Sequence, residues 1–201
     1  MKKSIILALA LVAPAFGKGV ETVVPVTVVE TTATADWAVE AGATYHWALN
    51  DMDEYVEGAD MIGGDVTLLY NITDSVAATL RFGWSAGTTD IWGDEDYGWD
   101  DLDVEYLSVT AGLRYTTEVA PGTRWYIGAE AGVGSLKLEY WGYELDNKTG
   151  FAYGIETGVQ YDVAEGVYVY GSVEFSGCTA DPCGIKDQFG FGLRAGVGVA
   201  F

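Results

Sequence analysis

From Asp36 to the last residue the chain alternates large apolar residues with small or polar ones, segment after segment. A period of two is the mark of a β-strand with two unlike faces. The alternation predicts strands at 36–47 (DWAVEAGATYHW), 62–72, 76–86 (VAATLRFGWSA), 104–116 (VEYLSVTAGLRYT), 123–140, 151–163 (FAYGIETGVQYDV), 166–175 (GVYVYGSVEF) and 188–201. Strands of globular domains are commonly about five or six residues long, whereas a tilted strand crossing a bilayer takes about nine to eleven. These segments have the longer measure, and no helical periodicity interrupts them.

The connections alternate too. Those at 73–75, 117–122 (with the turn dipeptide Pro121-Gly122) and Ala164-Glu165 are short, while those at 48–61, 87–103, 141–150 and 176–187 are long. Short turns at one end and long loops at the other is the layout of a membrane barrel, and an even strand number returns the chain to the side it started from.

The two faces decide what lies outside. Strand one sets Trp37, Val39, Tyr45 and Trp47 against Glu40, Gly42, Thr44 and His46; strand eight sets Phe189, Phe191, Leu193, Val197, Val199 and Phe201 against Gly190, Gly192, Arg194 and Gly196. The small, sparsely charged face cannot line an apolar ligand cavity, which argues against a soluble lipocalin-like barrel. The large apolar face, with aromatics towards its ends, would expose far more apolar surface than a soluble monomer tolerates. In lipid it is at home, because closing the sheet satisfies every backbone group. The predicted fold is therefore all-β: an eight-stranded antiparallel up-and-down transmembrane β-barrel over 36–201. Strand five is the exception, since its apolar phase flips between Val133 and Leu136; a bulge, or a strand continuing above the membrane, would account for that.

Residues 1–17 read as a secretory signal peptide: basic Lys2 and Lys3, an apolar run from Ile5 to Ala13, and the small-residue site Ala15-Phe16-Gly17. Residues 18–35, rich in Val and Thr around Pro25, read as an extended periplasmic linker. Ten Lys and Arg stand against 30 Asp and Glu, a formal net charge of −20. So acidic a surface excludes nucleic acid as a partner, because phosphate binding needs clustered cations.

With its strands, turns and terminal Phe201, the 36–201 region resembles the small eight-stranded outer-membrane barrels of the OmpA transmembrane-domain and OmpX kind. That resemblance implies a monomer integral to the outer membrane of a Gram-negative-type bacterium, in contact with its lipid and lipopolysaccharide. It also implies that Phe201 and the strand it ends serve as the signal read by the barrel-assembly machinery. No catalytic motif comes with the resemblance, and no cofactor is expected.

Four features are candidates for function. Glu40, Glu130, Glu156 and Glu174 share the inward phase with Arg81, Arg114 and Arg194, and in so narrow a barrel they should form an ion-pair network. That network is either a structural plug or the wall of a narrow, gated ion path. The loops 48–61 and 87–103 hold many acids, among them Asp94, Glu95, Asp96, Asp100 and Asp101, and no Lys or Arg. They form a solvated repulsive rim, or they gather divalent cations such as calcium or an extracellular partner. Cys178 and Cys183, close together in an exported chain, should form a local disulfide. His46, the only histidine, would with Asp51 or Ser85 supply the acid–base chemistry of a lipid-modifying enzyme, although no signature ties them together. The expected role is structural or surface-interacting rather than catalytic, with a small porin as the main competitor.

Overall fold

The computed structural model describes residues 36–48, 59–91, 100–182 and 188–201, with backbone alone for 90, 91, 100, 101 and 188. The expected signal peptide and linker lie outside them. The described chain forms eight strands: β1 (Trp37–Ala48), β2 (Asp60–Asn71), β3 (Val76–Ile91), β4 (Asp100–Ala120), β5 (Thr123–Tyr140), β6 (Tyr143–Ala164), β7 (Val167–Cys178) and β8 (Gln188–Ala200). Each pairs antiparallel with its sequence neighbours, and β1 pairs with β8 to close the barrel. The seam reaches the last residue: Trp37 N donates to Phe201 O at 3.2 Å and Phe201 N to Trp37 O at 2.9 Å.

Inward and outward residues follow the expected phase. Glu40, Thr67, Arg114 and Arg194 are buried inside, while Ile62, Leu113, Ile155 and Leu193 stand exposed outside. The outward apolar belt ends at an aromatic rim on either side. At one end Trp37 packs on Tyr70, ring centroids 4.8 Å apart. At the other, Trp84 Nε1 donates to Glu105 Oε1 at 2.8 Å and Tyr45 OH to Asp60 Oδ2 at 2.9 Å. Indole and phenol groups with one polar partner suit the boundary between hydrocarbon and water.

Beyond that second rim the structure departs from the sequence expectation. The segment 141–150 is not a loop. β5 and β6 form one long hairpin, closed by a two-residue turn at Trp141 and Gly142. β3 and β4 also run on, pairing as far as Ile91 with Asp100. At 18 and 22 residues, β5 and β6 far outlast the 12-residue β1, β2 and β7, so β3 to β6 project as a sheet above the membrane belt. The polar stretch YELDNKTG reads as a loop because above the membrane no lipid selects its outward side chains. Its strand conformation comes from pairing with β5.

The same extension resolves strand five. Its register with β4 runs unbroken from Asp103–Glu139 to Glu118–Arg124, with no bulge near Val133, and Gly134, Leu136 and Leu138 stay on the inward phase of Tyr126 and Gly128. The side chains change character, not direction. Past the lipid, the outer face turns polar (Ser135, Lys137, Glu139) and the inner face apolar.

Candidate functional site

All seven lumen charges expected from the phase of the strands meet in the barrel interior. Glu156 on β6 is the hub, accepting from Arg81 Nη2 at 2.7 Å, Arg114 Nη2 at 2.8 Å and Arg194 Nη1 at 3.4 Å. Glu40 takes both terminal nitrogens of Arg114, at 2.6 and 3.0 Å, together with Gln160 Nε2 and Tyr168 OH at 3.1 Å each. Arg81 further binds Glu130 at 2.9 Å and Glu174 at 3.0 Å. A charge this deep persists only when paired and hydrogen-bonded, and here each guanidinium spans two or more carboxylates.

Asp65 belongs to this network and was not among the expected residues. It lies on the inward phase of β2 two residues before Thr67, a signal the alternation of GGDVTLLYN does carry. Arg194 grips it with two nitrogens. Three tyrosines were also not foreseen. Arg114 lies over the Tyr126 ring at 4.4 Å and Arg194 over Tyr170 at 4.7 Å, while Tyr168 binds Glu40. The glycines of β8 make room for them: a Cβ at Gly198 would collide with the Tyr168 ring, and one at Gly196 with the Tyr170 hydroxyl.

Towards the outer end the lumen changes chemistry. His46 Nε2 lies 3.3 Å from Glu174 Oε1 at the upper edge of the charged layer. Above it Leu102, Val104, Leu136 and Leu138 close into an apolar cluster with Ala59, Cys178 and Ala180. A charged plug is thus roofed by a hydrophobic one. Between and beside them lies a recess lined by His46, Met61, Tyr106, Leu136, Cys178 and Phe189.

The remaining expected sites fare differently. Histidine chemistry with Ser85 finds no support in the hydrogen bonds: His46 faces Glu174, and the Ser85 hydroxyl points to Met61 Sδ at 3.7 Å. Asp51, the other candidate partner, lies outside the described residues. Of the acidic loop residues, Asp94, Glu95 and Asp96 lie outside the described residues, and Asp100 and Asp101 open β4 opposite Ile91 and Asp90. Among the described residues no group of three or more His, Cys, Asp or Glu is arranged to hold a metal ion. Cys178 is the last residue of β7 rather than part of a loop, and its buried thiol donates to Gly134 O at 3.8 Å. Cys183, its expected disulfide partner, lies outside the described residues.

The family model for the outer membrane protein beta-barrel domain matches residues 21–193. The chain belongs to this outer-membrane β-barrel family. Its place is accordingly in the outer membrane, as an integral protein. Solved structures agree on the fold. Neisserial surface protein A (NspA) superimposes with a TM-score of 0.63 at 17% identity, covering 83% of this chain and 98% of that one. OprG from Pseudomonas aeruginosa gives 0.53 at 15% identity (83% and 96%), and Ail, the attachment invasion locus protein of Yersinia pestis, 0.51 at 19% (83% and 99%). A comparison of the sequence with curated proteins gives no match.

Proposed function

We propose that this outer-membrane barrel is a closed, non-catalytic anchor that presents the β3–β6 extension at the cell surface for interaction with a partner. The observation that carries this reading is the double closure of the lumen: the Glu156-centred ion network below, and the Leu102, Val104, Leu136 and Leu138 cluster above. An ion crossing it would have to break buried pairs and then enter an apolar constriction, and either step alone opposes conduction. The strands invested beyond the membrane belt serve no span, so their use lies outside. Surface display is consistent with the names of two proteins sharing the fold, a surface protein and an attachment protein. Phe201, hydrogen-bonded into the closing seam, is proposed as the assembly signal, and the segments 48–61 and 87–103 as an acidic, repulsive rim.

Single-channel recording in planar bilayers tests the closure. The wild type and Arg81→Ala should both show near-zero conductance, because the apolar cluster stays in place. Discrete current steps in the wild type would overturn the anchor reading in favour of a pore.

A further inference from the structure

The far end of the β5–β6 hairpin is built unlike a solvated turn. Two-residue hairpin turns with positive φ at both central positions favour Asn-Gly or Asp-Gly. Here the pair is Trp141 (φ 52°) and Gly142 (φ 77°), so an indole occupies a left-handed position that bulky side chains avoid. Trp141 is 76% exposed and Tyr143 77%. A register shift beside Glu139 makes Leu145 the extra residue of a bulge, also exposed. Three large apolar side chains thus stand exposed at the tip of a paired hairpin, on a chain whose other exposed apolar residues mostly face lipid.

The charge around this tip selects among occupants. Asp103 and Glu139 are directly paired across β4 and β5, and Glu139 and Glu144 across β5 and β6, so acids climb the outer face of the extension to the turn. Lys137 sits among them and is already engaged, with Glu139 at 2.6 Å and Glu105 at 3.8 Å; the Glu139 carboxylate holds its ammonium above the usual lysine range. Lys148 is likewise engaged, with Asp146 at 3.4 Å, and among the described residues Asp103 and Glu144 make no ion-pair contact, though Glu144 adds to the field on Lys137. A phospholipid surface would bring phosphates against these carboxylates, and a neutral glycan would leave their charge unused.

We infer that the hairpin tip docks a basic protein segment, with Trp141 and Tyr143 stacking on arginine or lysine side chains and Glu144 and Asp103 accepting their N–H groups. The chemistry is that of an interface anchor: an aromatic face attracts a cation, and neighbouring carboxylates supply directional, charge-assisted bonds. This inference rests on the surface-interaction reading and assigns it a place and a partner class.

The test uses the full chain in lipid nanodiscs, with an arginine–glycine repeat peptide and phosphatidylcholine vesicles as probes. Trp141→Asn removes the indole while installing a residue suited to positive φ, so the turn survives; Tyr143→Ser is the second variant should that one misfold. The wild type should bind the peptide, Trp141→Asn should weaken it on the order of tenfold, and Glu144→Gln should weaken it less, with binding falling as salt rises. Unchanged peptide affinity in both aromatic variants, no peptide binding by the wild type, or a loss confined to vesicle binding would each overturn the inference. Such failure differs from failure of the anchor reading, which would appear as current steps across a bilayer.

Discussion

Arg194 on β8 holds Asp65 on β2 across the intervening β1: Nε donates to Oδ2 at 2.7 Å while Nη2 donates to Oδ1. The guanidinium also reaches Thr67 Oγ1 at 2.8 Å from Nη2, so two of the three nitrogens of the closing strand's only charge are committed to β2. Removing one partner of such a pair strands a buried charge. Asp65→Ala should therefore cost about 3–5 kcal/mol. The double variant Asp65→Leu with Arg194→Met should recover most of it. Denaturant midpoints followed by the heat-dependent gel shift of the folded barrel measure both, and a double variant no better than the single would refute the pairing argument.

Gly198→Ala places a methyl group against the Tyr168 ring. Overpacking of this kind should destabilise the barrel by about 1–3 kcal/mol. Tyr168→Ser should relieve the clash in the double variant, at the cost of the hydrogen bond to Glu40. A clear non-additivity of the two in the same denaturant assay is the expected outcome.

The apolar roof should be separable from the membrane barrel. Leu138→Ala cuts into a fully buried cluster and should cost about 2–4 kcal/mol locally. The expected readout is faster hydrogen exchange in the outer halves of β4, β5 and β6, with the belt between the aromatic rims unchanged. Uniform acceleration throughout the barrel would show that the two parts melt as one.

The proposed closure of the lumen predicts a matching asymmetry in conductance. With Arg81→Ala alone the roof should still block the path, and with Leu136→Ser and Leu138→Ser alone the ion network should. Combining all three substitutions should open a measurable leak in planar bilayers. A leak from either set by itself would place the barrier in one layer only.

How much of this was written in the sequence depends on how local each feature is. Strand existence, the inward place of Glu40, Arg81, Arg114 and Arg194, and the apolar outward face follow from a period of two, which each strand carries by itself. Lipid outside enforces that pattern, and where the lipid ends the pattern loses its meaning. That is why 143–150 reads as a loop and why Leu136 reads as a break in phase while keeping it.

The amino-acid sequence alone thus determined the strands, their wet and dry faces and the membrane they suit, since alternation is a property of neighbouring residues. Only the tertiary structure decided that Glu156 joins three arginines, that Asp65 completes the network with Arg194, that a hydrophobic roof covers it, and that Trp141 occupies a hairpin turn. Those relationships depend on register and closure among strands distant in the chain, which no single segment encodes.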